Sequence, residues 1–373
     1  MTNYNFDNRT VMTLDAGGTN FVFSAIRGCK EIIEPIRLPS IVDDADKSLE
    51  LIAEGFRQVK EKLAEAPVAI SFAFPGPADY VNGVLGDLPN FPGFRGGVAL
   101  GPYLEEVFGI PVFINNDGNL FAYGEAIAGL LPEVNAKLSK AGIKKTYKNL
   151  IGLTFGTGYG CGVVIDGTLL RGDNGCGGDV WLMRNCFDGN YLLEENVSIR
   201  GIKYMYGYFS GNPDHALSPK DICDVIEGRR EGDKQAALKT FEYFGKAAAE
   251  GVINALDMID GLIVIGGGIS YNYKYILPAM IEATRAKLSN KNGEKFPILQ
   301  MEVFNLMDED DSAAFYKDEC READILGTSR KTIYNFSKKT GIAISKLGAS
   351  KAISIGAYAF ALSEIDKYEA KVL

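Results

Sequence analysis

Strands that alternate with helices, and one strand–glycine-turn–strand unit that occurs twice, predict an α/β protein made of two related halves. The length agrees: 373 residues suit two domains, each large enough to bury a core. Residues 11–15 are a short apolar run and read as a strand, residues 16–20 (Ala-Gly-Gly-Thr-Asn) as a turn, and residues 21–26 as the returning strand of a hairpin with a glycine-rich tip. Residues 31–38 alternate like a third strand. Residues 44–64 carry Leu49, Ile52, Phe56, Val59 and Leu63 at helical spacing. Residues 68–74 form a buried strand stopped by Pro75-Gly76-Pro77, and residues 111–117 form another that runs into a helix over about 118–129.

Residues 131–149 are lysine-rich and break this rhythm. A second series then begins: a strand at 150–155, a glycine turn at 156–160 and a strand at 161–165, echoing the segment from Thr13 to Val22. The echo predicts an internal duplication with a cleft between the halves. A helix at 235–258, a strand at 261–265 ending in Gly266-Gly267-Gly268, a helix at 275–288 and a strand at 301–306 follow. Residues 308–341 are charged and poorly patterned, as expected of a surface excursion. The last helix, 350–365, bears Ala352, Gly356 and Ala357 on one side, which permits close packing. The expected domains are residues 1–128 with 350–373, and residues 129–349.

Composition removes several function classes. The net charge of −9 disfavours nucleic acid as a partner. No apolar run approaches the roughly 20 residues that cross a bilayer, and the polar first ten residues do not resemble a secretory signal. Cys29, Cys161, Cys176, Cys186, Cys223 and Cys320 are scattered, without a C-x-x-C pair, and read as reduced thiols of a cytoplasmic protein. The one histidine, His215, sits in a turn-rich stretch and reads as a solvated loop residue, so carboxylates and backbone must carry the chemistry.

Glycine turns let backbone N–H groups converge on an anion. A P-loop is excluded, because the only Gly-Lys pair, Gly245-Lys246, precedes Ala247 inside a helical pattern. A dinucleotide fingerprint is excluded too: the glycines from Gly156 to Gly162 alternate and lead into a strand. What remains is a pair of hairpin tips expected to face each other and hold a polyphosphate, with Asp15 on one and Thr157 on the other, and magnesium near Asp15. Either run alone would be an ordinary tight hairpin. Their matching positions, and a third run at 266–268, favour the phosphate site.

Taken in order, Asp15-Ala-Gly-Gly-Thr-Asn20, residues 88–94 (Leu-Pro-Asn-Phe-Pro-Gly-Phe), Asn116-Asp117-Gly118-Asn119, the Gly156–Gly162 run and Gly266–Gly268 resemble the ROK family. That family holds sugar kinases and sugar-sensing repressors of the actin-like, hexokinase-like ATPase superfamily. The resemblance covers most of the chain, more weakly at 131–149 and 308–341. It implies a duplicated ribonuclease-H-like, actin-like ATPase fold of two domains with an interdomain cleft, and ATP-dependent phosphorylation of a hexose. Asp117 matches the general base, although on sequence alone it is equally a helix N-cap. Gly76, Asn90, Asn116, Asp179 and Glu194 match sugar-binding positions, with Glu195 as the rival register for Glu194 and a plain turn as the other reading of Asn90. Asp15, Gly17, Gly18, Thr19, Asn20, Gly156, Thr157, Gly158, Gly266, Gly267 and Gly268 match nucleotide-binding positions, with the magnesium ion at Asp15. On sequence alone Gly266–Gly268 serve nearly as well as a strand-to-helix turn.

The chain departs from the family near the sugar. Asp179 replaces a glutamate and Leu182 a histidine, and of a zinc-binding cysteine cluster only Cys186 remains, so no structural zinc is expected. These changes leave the sugar open between glucose, an N-acetylhexosamine and fructose, and raise a catalytically silent sugar-binding protein as an alternative. A repressor is disfavoured, since about ten residues before the first strand leave no room for a helix-turn-helix. The resemblance also implies a homodimer.

Overall fold

The computed structural model describes residues 4–17, 19–88, 91–212 and 217–372. Two compact units divide the chain. One comprises Met1–Pro132, Gly162–Gly178 and Lys346–Leu373, and the other Glu133–Cys161 and Asp179–Ser345. The segment 162–178, which the sequence reading leaves with the second half, packs with the first. Its reason is steric: a Cβ on Gly162 would lie 2.3 Å from the Gly118 carbonyl and 2.7 Å from the Asn119 Cα, so this backbone lies directly on the helix Asp117–Ala128.

The first unit is built on a sheet ordered Lys30–Glu31, Asn20–Arg27, Val11–Ala16, Ala69–Ala73, Val112–Asn115, with Ile36–Pro39 also paired to Asn20–Arg27. The expected hairpin is present, antiparallel, with Val11 opposite Ile26 and Ala16 opposite Phe21. Val11–Ala16, Ala69–Ala73 and Val112–Asn115 are parallel neighbours. Parallel strands need both faces covered, and Ala69–Ala73 is buried throughout. Ile70, Phe72 and Phe74 enter a core with Phe23, Phe56 and Phe94. From the next strand, Phe113 meets Phe360 of the C-terminal helix Ala349–Val372 at 6.2 Å between ring centroids. The sequence-predicted third strand is two short ones, because Pro35 lies between them and has no N–H for a ladder.

The C-terminal helix packs on Asp117–Ala128 through its small-residue side. A Cβ on Gly124 would lie 1.9 Å from the Ala352 carbonyl, and one on Gly356 equally close to that of Leu120. The two helices therefore meet backbone to backbone.

In the second unit the strands run Tyr159–Ile165, Leu150–Phe155, Leu262–Gly266, Lys339–Ile344, Glu302–Asn305, the first continuing past Cys161 into residues of the first unit. Leu262–Gly266 is parallel to both its neighbours and wholly buried. The helices Lys234–Ile259 and Tyr273–Thr284 pack on each other, with Gly245 against the Ile276 carbonyl. The segment 308–341 is not only a surface excursion. It holds a helix, Glu309–Phe315, a hairpin, Arg321–Asp324 with Lys331–Tyr334, and the start of Lys339–Ile344, an interior strand of the sheet. Flanking lysines and Gly341, whose hydrogen faces Leu306 where a Cβ would clash, hide that strand from a hydrophobicity reading. Likewise the lysine-rich stretch after residue 130 opens as a helix, Leu130–Lys140. All six cysteines are free thiols, and among the described residues no helix is long and apolar enough to cross a membrane.

The helix contact gives a prediction in which the sign decides. An unobstructed Gly→Ala exchange within a helix stabilises by about 1 kcal/mol, whereas overpacking costs about 1–3 kcal/mol. Gly124→Ala and Gly356→Ala should each lower the chemical-denaturation midpoint. A raised midpoint in either variant would show that the helices do not touch there.

Candidate active site

In the first unit, three parallel strands end at one edge of the sheet, with Asp15 in register with Ala73 and Ala73 with Asn115. Asn115 is buried, and its Oδ1 accepts from the Asn116 N–H (2.8 Å) and from Asn119 Nδ2 (3.0 Å), which fixes the turn out of the strand. Asn116 then caps the helix Asp117–Ala128, its Oδ1 accepting from the Gly118 N–H at 2.8 Å. The cap role open to Asp117 on sequence thus belongs to Asn116. Asp117 is the first helical residue, and its carboxylate accepts from the same Gly118 N–H at 2.9 Å.

Burial raises the pKa of the Asp117 carboxyl above the ordinary aspartate value, the nearby negative charge of Asp15 adds to this, and the Gly118 N–H opposes it. The residue nevertheless keeps exposed surface. The two observations fit a group set in a recess: what can reach it is decided by the open side, and how it titrates by the protein crowded round the rest. Asp15, at the end of the first strand, is half-buried, and its carboxylate has no hydrogen bond or ion pair among the described residues. An unpaired carboxylate beside a second one is a donor set that fits a divalent cation.

Beside it the Gly17 N–H donates to the Asn20 carbonyl (3.1 Å), and Thr19 and Asn20 are exposed at the tip. Gly76 follows the strand Ala69–Ala73 in a loop held by the Tyr80 hydroxyl, which donates to the Phe74 carbonyl at 2.9 Å. Gly18 and Asn90 lie outside the described residues, as does His215.

In the second unit, Leu150–Phe155 and Leu262–Gly266 also end side by side, Thr154 in register with Gly266. Their glycine corners are therefore neighbours. The Gly156 N–H donates to the Gly158 carbonyl (3.1 Å), a tighter turn than that from Gly17 to Asn20, and Thr157 is exposed on it. Gly267 has φ +85° and passes so close to Phe155 that a Cβ would lie 2.3 Å from its carbonyl oxygen. A Cβ on Gly268 would meet nothing within 4 Å, so this corner offers bare backbone to a ligand.

Glu194 and Glu195 separate clearly. Glu194 Oε2 accepts from the Tyr159 N–H (2.9 Å) and fills the place of a Gly158 side chain, 2.6 Å from where its Cβ would be. Arg200 Nη2 pairs with Glu194 Oε1 at 2.8 Å and with Glu195 at the same distance. Glu194 is held against the glycine turn and Glu195 only by the arginine. No sequence signal marks Arg200: it is six residues from Glu194, across a loop and a helix start, at no helical spacing. Asp179 is exposed and accepts from Trp181 Nε1 at 3.3 Å, and Leu182 is 51% exposed.

The donors at Cys186 do not fit zinc. Among the described residues no three of His, Cys, Asp and Glu gather as a metal site. Asn185 organises this loop instead, its amide bonding to Asn196, to the Leu192 carbonyl and to the Phe187 N–H.

A profile of the ROK family matches residues 11–310. The chain is 29% identical over 278 residues to an N-acetyl-D-glucosamine kinase of Vibrio cholerae, 71% of this chain and 86% of the relative. It is also 29% identical over 279 residues to a glucokinase of Thermotoga maritima, 69% of this chain and 81% of that one. The crystal structure of a glucokinase from Parabacteroides distasonis is similar at a TM-score of 0.88 and 54% identity, covering 97% of this chain and 99% of that one.

The raised pKa of Asp117 has a sign that can be tested. Its folded-state value lies above the unfolded one, so any stability that the carboxyl contributes is present when it is protonated and is lost as pH rises through the folded value. Asp117→Asn carries no such loss. Thermal melts should therefore show the variant more stable than the parent at pH 7.5, the gap narrowing as pH falls through the raised value and closed below 3.8, the ordinary value. A gap that widens on acidification would contradict the raised value.

Proposed function

Because the chain belongs to the ROK family and is an ATP-dependent sugar kinase, we propose that it phosphorylates a hexose, glucose first, with Asp117 as the general base. The observation that carries this reading is the Asp117 carboxylate itself: open to solvent on one side, crowded on the other, and oriented by a helix-terminal N–H. As an alcohol oxygen attacks phosphorus, its proton needs an acceptor in hydrogen-bond reach, and a carboxylate of raised pKa accepts it better than an ordinary one.

Asp15 would hold the magnesium ion of the nucleotide, whose charge offsets that of the phosphate oxygens. Backbone N–H groups of the glycine turns at Gly17–Asn20 and Gly156–Gly158 are suited to phosphate oxygens, and the open corner at Gly267–Gly268 to ribose and base. Asn116 spends its Oδ1 on the cap, while its Nδ2 has no partner among the described residues and can donate to a sugar hydroxyl. Glu194 and Asp179 supply acceptors for further hydroxyls.

Glucose is preferred because the glucokinase at 54% identity spans nearly the whole chain. N-acetylglucosamine is the second reading, favoured by the exposed apolar side chain of Leu182, a surface for an acetamido methyl. The family resemblance adds a homodimer in the cytoplasm.

General-base removal costs about 10²- to 10⁴-fold in rate. Asp117→Asn should lose turnover on that scale in an assay of ADP release, with sugar affinity by calorimetry within a few-fold of the parent. Near-normal turnover would remove Asp117 from the reaction. Of a panel of glucose, N-acetylglucosamine and fructose, glucose should give the highest kcat/KM, and turnover with none of them would favour a silent sugar-binding protein.

A further inference from the structure

The second unit carries a cavity of about 620 Å³ that the kinase reading does not use. It lies at the amino ends of the strands, where Asp260 precedes Leu262–Gly266 and Lys339 begins its neighbour. The glycine corners are at the carboxyl ends, a strand length away, about 15–20 Å. Its walls come from the lysine-rich stretch after the helix Leu130–Lys140 and from residues 315–339, past the end of the family match at 310.

In a chain of net charge −9, this cavity is lined by Lys144, Lys145, Lys317, Lys338 and Lys339. Asp260 and Asp318 are the acids among its lining residues, and Glu319 stands beside it in an ion pair with Lys339 at 3.1 Å. Lys339, with a side chain only 10% exposed, also donates to the carbonyls of Ala314 and Lys317 and is spent on structure. Lys338 bonds to Gln300, and Lys145 donates to the Lys339 carbonyl (3.1 Å) with its ammonium 4.5 Å from the Tyr147 ring centroid. Burial lowers the pKa of Lys145, the charge of Asp260 opposes this, and Lys339 adds a smaller push downward. The ammonium groups of Lys144 and Lys317 make no hydrogen bond or ion pair among the described residues.

We propose that this cavity binds a phosphate monoester of a small polar molecule. Two ammonium groups without a hydrogen bond or ion pair, with those of Lys145 and Lys338 on the same lining, match a dianionic head, for which lysine serves as a point charge. At the wall Ser337 and Asn335 are hydrogen-bonded to Glu319 and Cys320 and hold the loop, and the exposed Ile333 beside Tyr334 gives an apolar surface for a ring. The volume is that of a small-ligand pocket. Both a sugar phosphate and a nucleotide satisfy this chemistry.

The test is titration calorimetry on the whole protein, its nucleotide site saturated with a non-hydrolysable ATP analogue. The probes are inorganic phosphate, glucose 6-phosphate and AMP, and the readout is binding, independent of whether the kinase assignment holds. One ester should bind saturably, more weakly as salt rises, and about tenfold or more weakly in Lys144→Ala/Lys317→Ala. Lys144→Arg/Lys317→Arg should keep binding, and both double variants should keep the parent's basal turnover. Tighter binding of glucose 6-phosphate would identify a sugar phosphate, and tighter binding of AMP a nucleotide. No saturable binding, inorganic phosphate as tight as both esters, or indifference to the alanine pair would overturn the proposal.

Discussion

Parallel pairing in register is the constraint on which the molecule's chemistry depends. When strands run the same way and start level, their carboxyl ends finish along one edge. The turns that leave them are then collected there without any further device. In the first unit this brings Asp15, the loop of Gly76 and Asn116-Asp117 to one edge, and in the second it sets the Gly156 turn beside Gly267. The same strands must be covered on both faces, so the helices on them carry the hydrophobic load and leave that edge to polar groups.

The edge of the first unit shows a division of labour among three adjacent polar residues. Asn115 is spent on holding the turn, Asn116 on capping the helix, and Asp117 is left with the N–H groups of the helix start and an open side. Burial outweighs the N–H groups at the helix start and keeps the Asp117 carboxyl above the ordinary aspartate value. Asp15 reinforces this through its charge alone.

In the second unit the corresponding tie is ionic. Arg200 clamps two successive glutamates and so commits Glu194 to the glycine turn, where it occupies space that any side chain at residue 158 would need. Asn185 stakes the preceding loop through hydrogen bonds with the Leu192 carbonyl and the Phe187 N–H. One carboxylate thus joins Arg200 to the glycine turn.

Short-range sterics wrote much of this into the sequence. The hairpin tips, the helix from residue 45, the strand stopped by Pro75 and the small-residue face of the last helix follow from φ preferences and periodicity, which neighbours in the chain settle among themselves. The order of the glycine motifs likewise sufficed to point to the family. Contacts between distant residues settled the remainder: that 162–178 joins the first unit, that Lys339–Ile344 lies inside a sheet despite its lysine and glycine, that Glu194 and not Glu195 meets the turn, and that Asp117 titrates high. Each depends on which atoms surround a residue after folding, and a pattern confined to one stretch of chain carries no record of what will be packed against it.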